Sequence, residues 1–398
     1  MALFLRQYDK CKHSWSLHQG CERINRNSND WTNLSYANVA TTSPTAHLIA
    51  CEWAASLARG GAAEFDAEAE KDGMMPLRES AANLLGCSIS DICVGSSATE
   101  LLCSLAWAIA PKKGSNIVST RASFPSTVYP WQRVSDEFGS EIRLAPYDEN
   151  YYTNPDDILS LIDGNTAVVA LSHVEYACGQ RYDLTNFSKV AHDAGALLVI
   201  DATQSMGMVP IDAPKSGADA IVSSGYKWLR GTYGTAVGYI STTIQSLYPG
   251  LLGFRSHRDI WDMKADRLEF PDDASRFEFT TIHFGAVLGL ATSIEEISNI
   301  GIQKVWEHDI ELANMLIDGA LEIGLGIASP TNDDERSAIV SLRIPAGFDT
   351  GDVVNRLQDE YGILVTNRSG LLRVSPHIDN TPEQIDFFLT SLKEILNI

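Results

Sequence analysis

Short apolar runs recur near residues 92, 117, 168, 197, 220 and 235, each broken by a polar or glycine-containing stretch. The clearest, Leu197-Leu198-Val199-Ile200, is apolar at every position and stops abruptly at Asp201, the pattern of a strand covered on both faces. Between the runs the spacing becomes helical. Leu77, Ala81, Leu84 and Leu85 fall on one face of a stretch from Pro76 to Leu85, with Gly86 placed to stop it. Leu101 to Trp107 and Lys189 to Ala194 read as further helices. This alternation predicts an α/β fold, a mostly parallel central sheet with helices on both faces, whose ligands sit at the C-terminal ends of the strands. Farther on, helices over Ala286 to Ile297, Val305 to Leu325 and Asp352 to Tyr361, with strands over Ser337 to Arg343 and Gly362 to Val365, predict a smaller C-terminal α/β domain. The expected division is an N-terminal arm over 1–33, a large domain over 34–285, and a linker helix with the small domain over 286–398.

The chemistry gathers at the ends of these runs. Asp201 stands where a buried strand delivers a carboxylate, and Lys227 follows the strand-like Ala220-Ile221-Val222-Ser223-Ser224 and the break at Gly225. A carboxylate there can hold a pyridinium protonated, and an amine there can carry an aldehyde coenzyme as a Schiff base. Either residue alone is commonplace, a strand cap or a solvated lysine; the pair is informative. Gly95-Ser96-Ser97-Ala98-Thr99-Glu100 joins a strand to an apolar helix, so its amides and hydroxyls suit a phosphate, although Ser and Thr there equally suit an ordinary helix cap. Arg373, within apolar Leu371-Leu372-Arg373-Val374, needs an anionic partner, for which a substrate carboxylate or an interdomain acid would serve.

Asp201-Ala202-Thr203-Gln204, Ser224-Gly225-Tyr226-Lys227 and Leu372-Arg373-Val374-Ser375-Pro376-His377 resemble the class V aminotransferase family. These are fold-type-I enzymes of pyridoxal 5′-phosphate, among them cysteine desulfurases, kynureninases and isopenicillin N epimerases, and the likeness runs from about residue 34 to the C-terminus. The resemblance implies that Lys227 binds the coenzyme covalently and that Ser97, Ala98 and Thr99 grip its phosphate, with Ser224 and Tyr226 beside it. It implies that Phe124 stacks on the ring, a core aromatic being the alternative, with Thr203 against the ring and Gln204 on its phenolic oxygen. Asn38, Tyr176 and Arg373 become substrate contacts, and Thr281 reaches the phosphate from the second subunit of a homodimer. Glu175 is the alternative to Tyr176 near the coenzyme face.

Composition narrows the field. A protein of 398 residues with 44% hydrophobic and 20% charged residues is an ordinary folded enzyme, and its net charge of −21 with no basic stripe argues against nucleic acid or anionic membrane as partners. The 7 cysteines are scattered, with neither CxxC spacing nor a metal-type histidine cluster, as expected of reduced thiols in a cytoplasm. Desulfurases carry a nucleophilic cysteine shortly before the carboxylate arginine, whereas Val365 to Leu372 contains none. Persulfide chemistry would then need Cys178 from another loop. The expectation is a lyase that cleaves a cysteine conjugate by β-elimination, with Lys227 moving the protons and Tyr226 or His173 near the leaving group. Aminotransfer, epimerisation or decarboxylation-coupled deamination on the same coenzyme is the alternative, and a non-catalytic binding protein is the rival from another class.

Overall fold

The computed structural model describes residues 31–398, so the expected arm lies outside the described residues apart from its last three. Thr32–Asn33 forms β1. It is followed by β2 (Ile92–Gly95), β3 (Asn116–Thr120), β4 (Glu141–Ala145), β5 (Thr166–Ser172), β6 (Leu197–Asp201), β7 (Ala220–Ser224) and β8 (Ala236–Ile240). Strands β2 to β8 make a 7-stranded sheet in the order β2-β8-β7-β6-β5-β3-β4, in which β8 alone runs against its neighbours. Both faces are covered. Leu198 and Ile200 of β6 pack with Phe187 and Ala191 of the helix Leu184–Asp193, while Val199 joins Leu102, Leu105 and Trp131 on the opposite side. That two-sided burial is why the run before Asp201 has no polar alternation.

Strand β4 carries no continuous apolar run and escapes a hydrophobicity reading. It is the sheet's edge, and Glu141-Ile142-Arg143 is partly exposed, with Arg143 paired to Asp163 at 2.7 Å. Charged edges of this kind discourage pairing with other chains. Pro125–Phe138 is also a helix, its interior Pro130 disguising it in the sequence. The helix expected over Lys189 to Ala194 begins earlier, at Leu184, because the Asp183 carboxylate accepts from the amides of Thr185 and Asn186 at 3.0 and 3.2 Å.

A second sheet of 4 antiparallel strands comprises β9 (Gly326–Ile327), β10 (Val340–Arg343), β12 (Thr366–Arg368) and β13 (Leu371–Val374), in the order β12-β13-β10-β9. Its core joins Leu312 and Leu316 of the helix Ile302–Glu322 to Phe388 and Leu392 of the helix Pro382–Leu396. The strand expected over Gly362 to Val365 shortens to β11 (Ile363–Leu364) and pairs in parallel with β1 instead of entering this sheet. The helix Phe284–Ile300 packs through Val287, Leu290 and Ile294 into the core of the large sheet.

The parallel register sets Ser172 beside Asp201 at the tips of β5 and β6, and Ser224 ends β7 next to them. The backbone beyond Asp201 turns at Gly207, whose φ is 98° and whose Cβ, if present, would stand 2.5 Å from the carbonyl oxygen of Trp228. A side chain is disfavoured there both by the left-handed backbone and by the neighbour that follows Lys227. Gly207→Ala is therefore expected to destabilise the protein by about 1–3 kcal/mol, read as a lower urea midpoint.

Candidate active site

One cleft at these strand tips is lined by Ala98, Thr99, Phe124, Tyr176, Asp201, Thr203, Gln204, Ser224, Tyr226 and Lys227, together with Ser126, Ser172 and Val174. At its deep end the Asp201 carboxylate is held by two donors. The Thr127 hydroxyl donates to Oδ2 at 3.1 Å, and the Thr203 amide donates to Oδ1 at 2.9 Å. Thr127 comes from the first turn of the helix Pro125–Phe138 and carries no motif in the sequence.

At the other end stands the N-terminus of the helix Ala98–Ile109. Ser97 does not line the cleft, contrary to expectation: its hydroxyl is turned back to accept from the Glu100 amide at 3.2 Å, the ordinary capping role. Ala98 and Thr99 do line it. The Ala98 amide donates to the Ser224 hydroxyl at 3.1 Å, the Thr99 hydroxyl donates to Ser126 at 2.9 Å, and the Thr99 amide lies in a first turn that no helix carbonyl can reach. These groups suit an anion at a positive helix end.

Lys227 lines the same cleft, 9% exposed, with Nζ 5.6 Å from the Phe124 ring centre and 5.8 Å from that of Tyr226. Burial brings its pKa down to about 8; the Arg373 charge pushes the same way, and Asp201 partly offsets them. Phe124 is 43% exposed and meets Tyr176 edge-on at 5.4 Å, so it is a wall of the cleft rather than a core aromatic. Gln204 is fixed from both sides, its Nε2 donating to the Ala37 carbonyl at 2.9 Å and its Oε1 accepting from Trp228 Nε1 at 3.0 Å. One Nε2 hydrogen is left for the cleft.

Arg373 is the most unusual group. It is 1% exposed on β13, donates Nη1 to the Tyr176 carbonyl at 2.6 Å, and leaves Nε and Nη2 without partners. No carboxylate pairs with it among the described residues, which removes the interdomain ion pair as an explanation. Burial first, then the nearby Arg368, bring its pKa down to about 9. A planar cation held dry with two unpartnered nitrogens is a receptor for a carboxylate.

Other expected groups lie elsewhere. The strand alternation of Ser172, His173 and Val174 sends His173 away from the cleft, where its Nδ1 meets the Ser205 hydroxyl at 3.0 Å and burial brings its pKa down to about 3. His173 therefore cannot serve a leaving group. Cys178 is buried, its thiol donating to the Tyr151 carbonyl at 3.2 Å with its pKa pushed up to about 12, which removes it as a nucleophile. Glu175 lies behind the cleft, fully buried, accepting from the Ser123 hydroxyl at 2.9 Å, with its pKa raised to about 8 by burial and by Asp201. Asn38 accepts from Arg368 Nη2 at 2.7 Å, and Thr281 is exposed and does not line the cleft.

Comparison with known proteins places this geometry in company. A family model described as Aminotransferase class-V matches residues 41–388. A probable cysteine desulfurase of Methanothermobacter thermautotrophicus is 28% identical over 335 residues, covering 80% of this protein and 82% of that one. Another, of Pyrococcus abyssi, is 30% identical over 299 residues, covering 72% and 73%. Among solved structures, an apo cysteine desulfurase of Thermococcus onnurineus superposes with a TM-score of 0.83 at 24% identity, covering 96% of this protein and 99% of that one. A cystine C-S lyase in complex with cysteine persulfide also gives 0.83, at 18% identity, covering 91% and 97%. The cleft fits the coenzyme that the sequence implies: an amine at Lys227, an acid at Asp201 held by two donors, and an anion cradle at Ala98, Thr99 and Ser224, with Arg373 left over for a substrate.

The electrostatics can be tested without any coenzyme. In the apoprotein, labelling of Lys227 by a small amine-reactive reagent, followed by peptide mass spectrometry, should reach half its maximal rate near pH 8, against 10.5 for an ordinary lysine. Arg373→Gln removes a like charge and should move that midpoint up; Asp201→Asn removes an opposite charge and should move it down.

Proposed function

The chain belongs to the aminotransferase class-V family and its coenzyme is pyridoxal 5′-phosphate; within that family we propose that it is a lyase cleaving the Cβ–S bond of a cysteine conjugate by β-elimination. The observation that carries this reading is Lys227 in a cleft lined by no thiol among the described residues, within electrostatic range of Arg373, whose Nε and Nη2 have no partner. Relatives named as cysteine desulfurases support a cysteine-derived substrate. The segment Val365-Thr366-Asn367-Arg368-Ser369-Gly370-Leu371-Leu372 has no residue able to take sulfur as a persulfide, which supports release of an intact thiol instead.

The coenzyme, when bound, supplies a ring that accepts the electron pair released at Cα. Asp201 would face its nitrogen, Ala98, Thr99 and Ser224 would hold its phosphate, and Gln204 would offer its remaining N–H. Arg373 takes the substrate α-carboxylate and so fixes which Cα bond is exposed to reaction. Lys227, poised near neutrality by its buried position, removes the Cα proton. The C–H electron pair becomes the Cα=Cβ bond, and the C–S pair leaves on sulfur. Tyr176 and Tyr226 both line the cleft, and burial raises the pKa of each phenol, so either keeps a proton to give to the departing thiolate. Hydrolysis then releases pyruvate and ammonia.

With holoenzyme and a panel of S-substituted cysteines, pyruvate and thiol should appear in equal amounts with no keto acid added. Lys227→Ala should slow this by about 10²–10⁴-fold. A steady requirement for a keto-acid acceptor would assign the protein to amino transfer instead. The exposed position of Thr281 supports its expected use across a homodimer, which light scattering should report as a mass near twice 43.5 kDa.

A further inference from the structure

Arg368 closes β12, directly before the turn at Ser369 and Gly370, whose φ values are 54° and 87°. The hairpin register pairs Thr366 with Arg373 and Arg368 with Leu371, so the two arginines lie on the same face of the β12–β13 ribbon, on diagonal positions. Its Nη2 donates to the amide oxygen of Asn38 at 2.7 Å, and the backbone around Asn38 borders the cleft, since the Ala37 carbonyl accepts from Gln204 and the Ala40 amide donates to the Tyr226 carbonyl. No carboxylate pairs with Arg368 among the described residues. Its charge is felt by Lys227, Arg373, Tyr176 and Tyr226, which places it within electrostatic reach of the whole reaction end.

Lys227 lines the cleft with one carboxylate, Asp201, already held by two donors, while Arg373 and Arg368 are not among the lining residues but lie within electrostatic range of Lys227. The α-carboxylate of a substrate meets Arg373. Arg368 is left with a half-buried guanidinium and a neutral amide for company. We propose that Arg368 determines substrate specificity by binding a second carboxylate, carried on the substrate's sulfur substituent, so that the conjugates cleaved are those whose departing thiol is itself acidic. A guanidinium fork is suited to this because it holds a carboxylate with two parallel N–H groups. The proposal rests on the elimination reading for the C–S scaffold, while the placement of Arg368 beside Arg373 without an acid partner stands apart from it.

The holoenzyme would be compared on S-(2-carboxyethyl)-L-cysteine and its neutral isostere S-(2-carbamoylethyl)-L-cysteine, with pyruvate as readout. We expect kcat/KM to favour the acid by about 10- to 100-fold, the range of a charged hydrogen-bonded contact, with the difference mainly in KM. R368Q should bring the ratio close to one, R368E should invert it, and R368K should keep part of it. Asn38→Asp, which gives Arg368 an internal carboxylate while leaving it in place, should also reduce the preference and serves if R368Q does not fold. Equal use of the two conjugates by the wild-type enzyme, or a preference that survives R368Q, would overturn the assignment. If neither conjugate yields pyruvate, the elimination reading fails by itself. Arg368 is then judged by titrating the coenzyme absorbance with L-glutamate and L-glutamine: tighter glutamate binding that R368Q abolishes upholds it, and equal binding refutes it.

Discussion

The structure is arranged around a cation with nowhere internal to go. Burying a guanidinium beside an ammonium and leaving two of its nitrogens bare is costly, and a fold intended only to be stable would supply an acid there. Arg373 instead receives a single backbone carbonyl, from Tyr176. Holding it there takes contributions from both sheets. β13 lies between β10 and β12, and the loop that presents Tyr176 is tied to the small sheet by the Ser341 hydroxyl on the Ala177 carbonyl at 2.6 Å and the Ser337 hydroxyl on the Gly179 carbonyl at 2.7 Å. His377, four residues past Arg373, sits between Asp309 at 2.7 Å and the carbonyl oxygen of Trp228 at 3.0 Å, with all three residues buried. The hairpin that carries Arg373 is thereby fixed to the residue next to Lys227, and the distance between amine and carboxylate receptor becomes a property of the packed interior.

How much of this was legible depends on where the information resides. Asp201, Lys227 and Arg373 were readable because each interrupts or follows a run that burial keeps apolar, so the charged residue stands out locally. Thr127 was not, since its only distinction is that a helix behind a separate strand brings its hydroxyl to Asp201. Ser97 illustrates a role that composition leaves open, as a hydroxyl before a helix can serve the helix or a ligand, and here the Glu100 amide takes it. The exclusion of His173 was available in principle, because the period of a strand separates it from Ser172 and Val174, but a loop reading of that stretch hides the alternation. Edge strand β4 and the two-residue β1 were out of reach for the opposite reason: a few residues half exposed to water carry no apolar signature.

Two carboxyls near the same cleft show how environment, not residue type, divides the labour. Asp201 receives a hydroxyl and an amide, each suited to an anion, at the point where a coenzyme nitrogen would meet it. Glu175 is fully enclosed, and the neighbouring Asp201 charge adds to the penalty of ionising it, so its pKa rises to about 8. Near neutrality a proton thus rests mainly on Glu175. On the cationic side the logic is repeated. The Arg373 charge lowers the affinity of Lys227 for a proton, which readies the lysine to act as a base, and a bound anion at Arg373 would relieve that repulsion only once substrate has entered. Substrate binding and proton affinity at Lys227 are consequently linked through a single short-range field. The carboxylate that docks is also the charge that raises the lysine's capacity to hold the proton it removes.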